Sequence, residues 1–198
     1  MSMTAAGTSS RSWESTTTAG AQTIKASYGG DANNLASLAA TSLTEIYKTC
    51  TQVSNSGGQN LKGANLEYCN LAGLNLSGDN LMGANLQYSN LQGANLKGAN
   101  LMSANLADAN GAGANLAAAN LMGDSLHGGN FANANFQGAN LKGDDLSYGT
   151  FTSAELQGAN LMDSNMSYGD FDYSNFTGAN TNGVNTTGAT FVGAVNAP

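Results

Sequence analysis

Hydrophobic positions along this chain keep two different periods. Leu35, Leu38, Ala39, Leu43, Ile46, Tyr47 and Cys50 recur at three- and four-residue spacing behind Asp31, a candidate N-cap. That pattern predicts one amphipathic helix within residues 31–51. After Gly57-Gly58 the spacing becomes five and runs without insertion from Asn60 to about Ala194. Apolar residues stand at Leu61, Leu66, Leu71, Leu76, Leu81 and onward, turning to Phe131, Phe136, Phe151, Phe171, Phe176 and Phe191. Two residues before each of these centres is a small residue, usually Ala. Between them is Asn, in every repeat from Asn60 to Asn120, and Gly is favoured two places after the centre.

A period of five suits neither regular element. Five helical residues rotate by roughly 500° and would smear the leucines around a helix, while an odd step along a strand sends each successive leucine to the opposite face. The chain must therefore turn once per repeat. On an extended segment the centre and the residue two before it share one side, so both can face inward while Asn and Gly supply the turn. A longer period gives the number of sides. At twenty residues Lys62, Met82, Met102, Met122, Lys142 and Met162 fall in one column and Tyr68, Tyr88, Tyr148 and Tyr168 in another. Four sides then make one turn, and the repeats stack into nearly seven coils over residues 59–195, a rod of roughly 30 Å at ~4.8 Å per coil. Stacked centres would form ladders such as Leu71, Leu91, Gly111, Phe131, Phe151, Phe171 and Phe191. Gly111 would leave a void that the Phe131 ring partly fills, and aligned Asn side chains would form hydrogen-bonded ladders.

Composition narrows the reading further. Residues 1–30 are rich in Ser, Thr, Gly and Ala, a mixture that buries too little apolar surface to offset ordering entropy, and are read as a disordered tail. Six basic against thirteen acidic residues give a net charge of −7, which argues against a surface that tracks nucleic-acid phosphates. No transmembrane run or secretory signal is legible, so a cytoplasmic location is the default, with export still open. Cys50 and Cys69 are too few for a disulfide framework and lack metal-ligand spacing. Cys69 fills an inward slot near where the helix ending at Cys50 must dock. A disulfide would staple the two, whereas an intracellular setting favours two buried thiols.

The unbroken A(D/N)LxG register resembles the pentapeptide-repeat family, which implies an all-β fold, a right-handed quadrilateral β-helix. The helix before Cys50 resembles the N-terminal cap of several members, so its task would be to cover an exposed apolar end. Some members are thought to imitate DNA and bind type II topoisomerases such as gyrase. Those members resemble one another in a C-terminal helical dimerisation segment, which this sequence does not show.

Outward side chains carry function in a solenoid. Met82, Met102, Met122 and Met162 form an apolar, adaptable stripe suited to a protein partner or to self-association, and Tyr68, Tyr88, Tyr148 and Tyr168 form a second candidate surface. Duplication of a twenty-residue unit would copy both columns without any selected use. Asp145, Glu155, Asp163, Asp170 and Asp172 suggest a late acidic face that could attract a basic groove. Asp124 and Asp144 occupy inward small-residue positions one coil apart, where a polar seam bonded to backbone is expected. His127 points outward with no triad around it. A filled rod offers no cleft, so neither catalysis nor any cofactor or metal is expected. The functional expectation is a non-enzymatic protein-interaction module or scaffold with an unidentified protein partner and no direct contact with nucleic acid or membrane. The alternatives are a gyrase-binding DNA mimic and a secreted effector whose tail serves export.

Overall fold

A computed structural model describes residues 50, 51 and 53–198. The expected tail at 1–30 and all but the end of the expected helix at 31–51 lie outside the described residues; Cys50 and Thr51 are helical. The chain divides into two units, Met1–Glu45 and Ile46–Pro198, and the second contains the coil.

Every β-bridge in the coil is parallel and joins residue n to residue n+20, from Asn60↔Asn80 to Asn175↔Val195. Four pentapeptides therefore make one turn, as the longer period predicts. Sides 1 to 4 are those centred on Leu61, Leu66, Leu71 and Leu76 and their stacked equivalents, and corner n is the two-residue turn that follows side n.

The backbone shows why the repeat has five residues and why one of them is Asn. In the repeat around Leu81, the centre N–H donates to the Asn100 carbonyl of the next coil at 2.7 Å, and the Gly83 N–H donates to Met102 at 3.0 Å. The Ala84 N–H closes the turn on the Leu81 carbonyl at 2.9 Å, and the Asn85 N–H reaches back one coil to Ala64 at 2.9 Å. Only the Met82 N–H lacks a backbone acceptor, and it donates to the Asn80 side-chain Oδ1 at 3.3 Å. Five donors thus find five acceptors, the accounting that a buried backbone demands. The Asn amide also donates along the stack, from Asn80 to Asn60 at 3.2 Å and from Asn140 to Asn120 at 3.0 Å. Asn combines an acceptor for its own turn with a donor for the neighbouring coil, which an ionised Asp does not provide.

All 27 corners from Gly63 to Gly193 hold their second residue at φ between 56° and 77°. This is the third position of a type II turn, where Gly enters without steric cost. Eleven of these corners lack glycine, among them Tyr68, Tyr88, Tyr148, Tyr168 and Tyr173.

The interior is filled by centres and small residues. Leu81, Leu86, Leu91 and Leu96 are fully buried, as are Phe131, Phe151 and Phe171. On side 3 the rings stack, Phe151 on Phe171 at 4.9 Å and Phe131 on Phe151 at 5.6 Å between centroids. Their bulk is matched two residues earlier: a Cβ added at Gly129, Gly149 or Gly169 would stand 2.7, 2.6 or 2.7 Å from the ring of Phe131, Phe151 or Phe171. At Gly111 the added Cβ would lie 2.4 Å from Phe131 Cε1, so the phenylalanine ring occupies the space that the missing side chain leaves. The last coil carries Thr181 and Thr186 at centres and is only half-buried.

Candidate functional surface on the corners of the coil

The two columns singled out in the sequence lie on adjacent corners. Met82, Met102, Met122 and Met162 are the first residues of corner 1. Met122 is 39% exposed, whereas Met82, Met102 and Met162 are half-buried, and Lys142 interrupts the stripe. Tyr68, Tyr88, Tyr148 and Tyr168 are the second residues of corner 2 and are 52, 44, 59 and 55% exposed. They stack in two pairs, Tyr68 on Tyr88 and Tyr148 on Tyr168, each with ring centroids 5.0 Å apart. Each of the four holds a φ of 57° or 58°. A bulky residue in that conformation costs on the order of 1–2 kcal/mol relative to glycine. A ring stack returns about 1 kcal/mol, so the tyrosines do not improve the fold over the glycine found at most corners.

The five acidic residues expected to share one face do not do so. Asp145 belongs to side 2, Glu155 to side 4, Asp163 to corner 1, Asp170 to side 3 and Asp172 to corner 3, positions set by the twenty-residue register. Asp145 and Asp170 stand where other repeats have Asn, and each accepts its own turn N–H, from Ser147 at 3.1 Å and from Asp172 at 3.0 Å. Asp172 accepts the Val192 N–H of the last coil at 2.7 Å. Glu155 accepts the Gln137 side-chain amide. Much of this acidity supports turns, and it surrounds the rod instead of lining one side.

Asp124 and Asp144 are buried inside side 2. Asp124 Oδ1 accepts the Ala104 N–H at 2.8 Å, and Asp144 Oδ1 accepts the Asp124 N–H at 3.0 Å. This is the backbone-bonded seam expected from their positions. Burial first, and then the charge of Asp144, pushes the Asp124 carboxyl up to about 9. Burial pushes Asp144 up to about 8. Removal from water disfavours the charged form, so the seam favours protonated carboxyls.

A surface network missed in the sequence surrounds His127. Ser147 Oγ donates to Asp145 Oδ1 at 2.6 Å, His127 Nδ1 meets Ser147 Oγ at 2.9 Å, and His127 packs edge-to-face on Tyr148 at 5.4 Å. The twenty-residue alignment that revealed the Tyr column also places Ser147 directly above His127, and would have found the pair. Ser147 lies between the acid and the histidine and is itself buried, so the three do not form a nucleophilic triad, in which the histidine is the central member.

Cys50 and Cys69 form a disulfide with Cα atoms 5.6 Å apart. This corrects the expectation of two thiols: the Cys69 slot in the first coil faces the end of the helical segment closely enough for a bond. Among the described residues no helix is long and apolar enough to cross a membrane.

A parallel solenoid with one pentapeptide on each of four sides defines the class, the quadrilateral β-helix. The family model described as pentapeptide repeats matches in eight copies, over residues 60–98, 80–110, 89–128, 130–167 and 145–180, and the chain belongs to that family, whose fold is right-handed. Its members are generally structural or interaction modules rather than enzymes. Among solved structures, HetL, involved in heterocyst differentiation regulation in the cyanobacterium Nostoc sp. strain PCC 7120, is 27% identical, with 70% of this chain and 75% of HetL covered and a TM-score of 0.41. QnrB1, a plasmid-mediated fluoroquinolone resistance protein, is 19% identical over 68% of this chain and 87% of its own, also at 0.41. A pentapeptide repeat protein of the Arabidopsis thaliana thylakoid lumen is 30% identical over 58% of this chain and 63% of its own, at 0.27. No curated protein matches the chain.

Proposed function

We propose that the coil is a non-enzymatic protein-interaction scaffold and that its contact surface is the tyrosine column of corner 2. The observation that carries this reading is the strain: four exposed tyrosines hold left-handed backbone where glycine would be easier. Strain retained at an exposed site points to use. Tyrosine also offers a large, rigid contact at low entropic cost. The methionine column of corner 1 is the weaker surface, because three of its four residues are half-buried.

Light-scattering mass in solution tests the proposal, comparing wild type with a Tyr68→Gly, Tyr88→Gly, Tyr148→Gly, Tyr168→Gly variant and with a Met82→Ser, Met102→Ser, Met122→Ser, Met162→Ser variant. Each tyrosine variant installs the residue that most corners already hold, so the fold is retained. A wild-type dimer that the tyrosine set converts to a monomer supports self-association through corner 2. Loss of the dimer only in the methionine set moves the interface to corner 1. A monomer throughout leaves a different protein as the partner, and a tyrosine variant that still binds that partner at wild-type affinity refutes corner 2.

Two finer readings have observations in their favour. The Cys50–Cys69 disulfide supports an oxidising compartment in place of the cytoplasmic default, since such bonds seldom persist in the cytosol; this favours the exported reading. Thiol titration of protein isolated under alkylating conditions tests it, and two free thiols would return the protein to the cytosol. The net charge of −7, though not gathered on one face, supports the gyrase-binding alternative, which a supercoiling assay with added protein checks. A capping helix over 31–51 belongs to the same proposal.

A further inference from the structure

The tyrosine column of corner 2 is not continuous. Its second-residue positions read Tyr68, Tyr88, Asp108, Gly128, Tyr148, Tyr168 and Gly188. Side chains at these positions lean toward the next coil: a Cβ at Gly188 would lie 2.6 Å from the Tyr168 ring, and one at Gly128 would lie 2.6 Å from Asp108 Oδ1. The Asp108 carboxylate therefore covers Gly128, and the rung above, which Gly128 would supply, is missing. The next side chain is Tyr148, two coils beyond Asp108 or about 10 Å at ~4.8 Å per coil. Between the Asp108 carboxylate and the Tyr148 ring this column therefore has one layer to which it contributes no side chain.

Two groups that attract positive charge border this layer, the Asp108 carboxylate and the Tyr148 ring. Asp108 is exposed, and among the described residues its carboxylate receives no hydrogen bond or ion pair. His127 flanks the site, edge-to-face with Tyr148. Ser147 has given its one hydroxyl proton to Asp145, so the His127 Nδ1 at 2.9 Å must carry a proton of its own. The same nitrogen lies 3.7 Å from Asp145 Oδ2, and in the Nδ1–H tautomer Nε2 is the acceptor. The lysines of the coil stand elsewhere, Lys62 and Lys142 on corner 1 and Lys97 on corner 4.

We propose that this notch, formed by Asp108, His127 and Tyr148 over Gly128, binds a guanidinium group, the arginine side chain of a partner protein. Guanidinium is flat enough for one layer, has five N–H donors and no acceptor, pairs with a carboxylate through two parallel bonds, and stacks on an aromatic face. Lysine presents a point charge without a plane and uses such a layer poorly. The assignment rests on the interaction reading and gives the partner's chemistry at one point of corner 2.

His127 is the only histidine in the chain, so its imidazole proton signals report on the notch directly. The full-length protein is titrated with N-acetyl-arginine methylamide and, separately, with the lysine analogue. The expected result is a saturable shift of the His127 signals at low millimolar arginine probe, at least about fivefold weaker for lysine. Asp108→Asn, a near-isosteric change to a residue that tolerates left-handed backbone, should abolish saturation. Gly128→Asn, whose Cβ at 2.6 Å displaces the Asp108 carboxylate and whose amide enters the layer above it, should do the same and guards against a folding defect in the first variant. Absence of a saturable shift, equal binding of lysine, or undiminished binding in both variants overturns the notch. Those outcomes leave the scaffold reading intact if the Tyr→Gly set still changes mass or partner affinity; if that set changes nothing while the probe binds, the scaffold reading fails and the notch stands as a small-cation site.

Discussion

The N-terminal and C-terminal halves of the coil share one backbone and differ in what fills it. On side 3 the early coils pair Leu71 with Cys69 and Leu91 with Ser89, whereas the late coils pair Phe131, Phe151 and Phe171 with Gly129, Gly149 and Gly169. Ring and glycine are exchanged together because the interior cross-section is set by the hydrogen bonds between coils, and a close-packed core tolerates volume-conserving swaps best. On side 2 the early column of Ala64, Ala84 and Ala104 gives way to Asp124, Asp144 and Ser164. On side 2 the inward site does not keep its volume, and the added carboxylates are accommodated by accepting backbone N–H groups of the preceding coil, Ala104 at 2.8 Å and Asp124 at 3.0 Å.

The comparison is broken most severely at Gly149. Gly149→Ala places a methyl group 2.6 Å from Phe151 Cε2 and 3.2 Å from the Gly129 carbonyl, and should cost about 2–3 kcal/mol, lowering the melting temperature by roughly 5–10 °C in a domain of this size. Phe151→Leu added to it, which restores an early type of pair, should recover much of the loss. A thermal double-mutant cycle measures the coupling, and additive effects would show that ring and glycine are independent.

A smaller effect is expected from Asp124→Ala with Asp144→Ala, which makes side 2 alanine throughout its middle. Both carboxyls are raised in the folded protein, so between the unfolded value near 4 and the folded values of about 8 and about 9 the native state holds more protons than the unfolded chain. Stability from this pair is complete below about pH 4 and is lost as pH rises through that window. Wild-type melting temperature should therefore fall between pH 5 and pH 9, and the double variant should fall less and be the more stable protein at pH 9. A wild-type profile that rises with pH would contradict the assignment.

The finest comparison is between tyrosines at equivalent corners. Tyr173 holds a φ of 59° and has no aromatic stacking partner among the described residues, so Tyr173→Gly should stabilise by about 1 kcal/mol from relieved strain. Tyr88→Gly forfeits the stack on Tyr68 and should come out near zero. Denaturant midpoints for the two variants separate strain from stacking. Equal gains would mean that the tyrosine pair contributes nothing to the fold.

The repeat, the four sides, the inward ladders and the filling of Gly111 by Phe131 follow from periods of five and twenty that any reader of the chain can count. The compensation at Gly129, Gly149 and Gly169 was written in the same columns but had no meaning until ring size could be set against interior width. The acidic face failed for a related reason. Asp145, Glu155, Asp163, Asp170 and Asp172 are close in sequence, and a chain that turns every five residues distributes neighbours around all of its sides. His127, Ser147 and Asp145 are distant in sequence, and the coil brings them together.

What this chain determines by itself is periodic: where the backbone bends, which residues point inward, and which others stack on them, because each pentapeptide repeats one local solution of donors, acceptors and volume. What only the tertiary structure decides is particular to a place: the bond between Cys50 and Cys69, the left-handed strain under the exposed tyrosines, the protons held by Asp124 and Asp144, and the missing rung above Asp108. These depend on distances between successive coils, and a period states which residues are neighbours without stating how far apart their atoms lie.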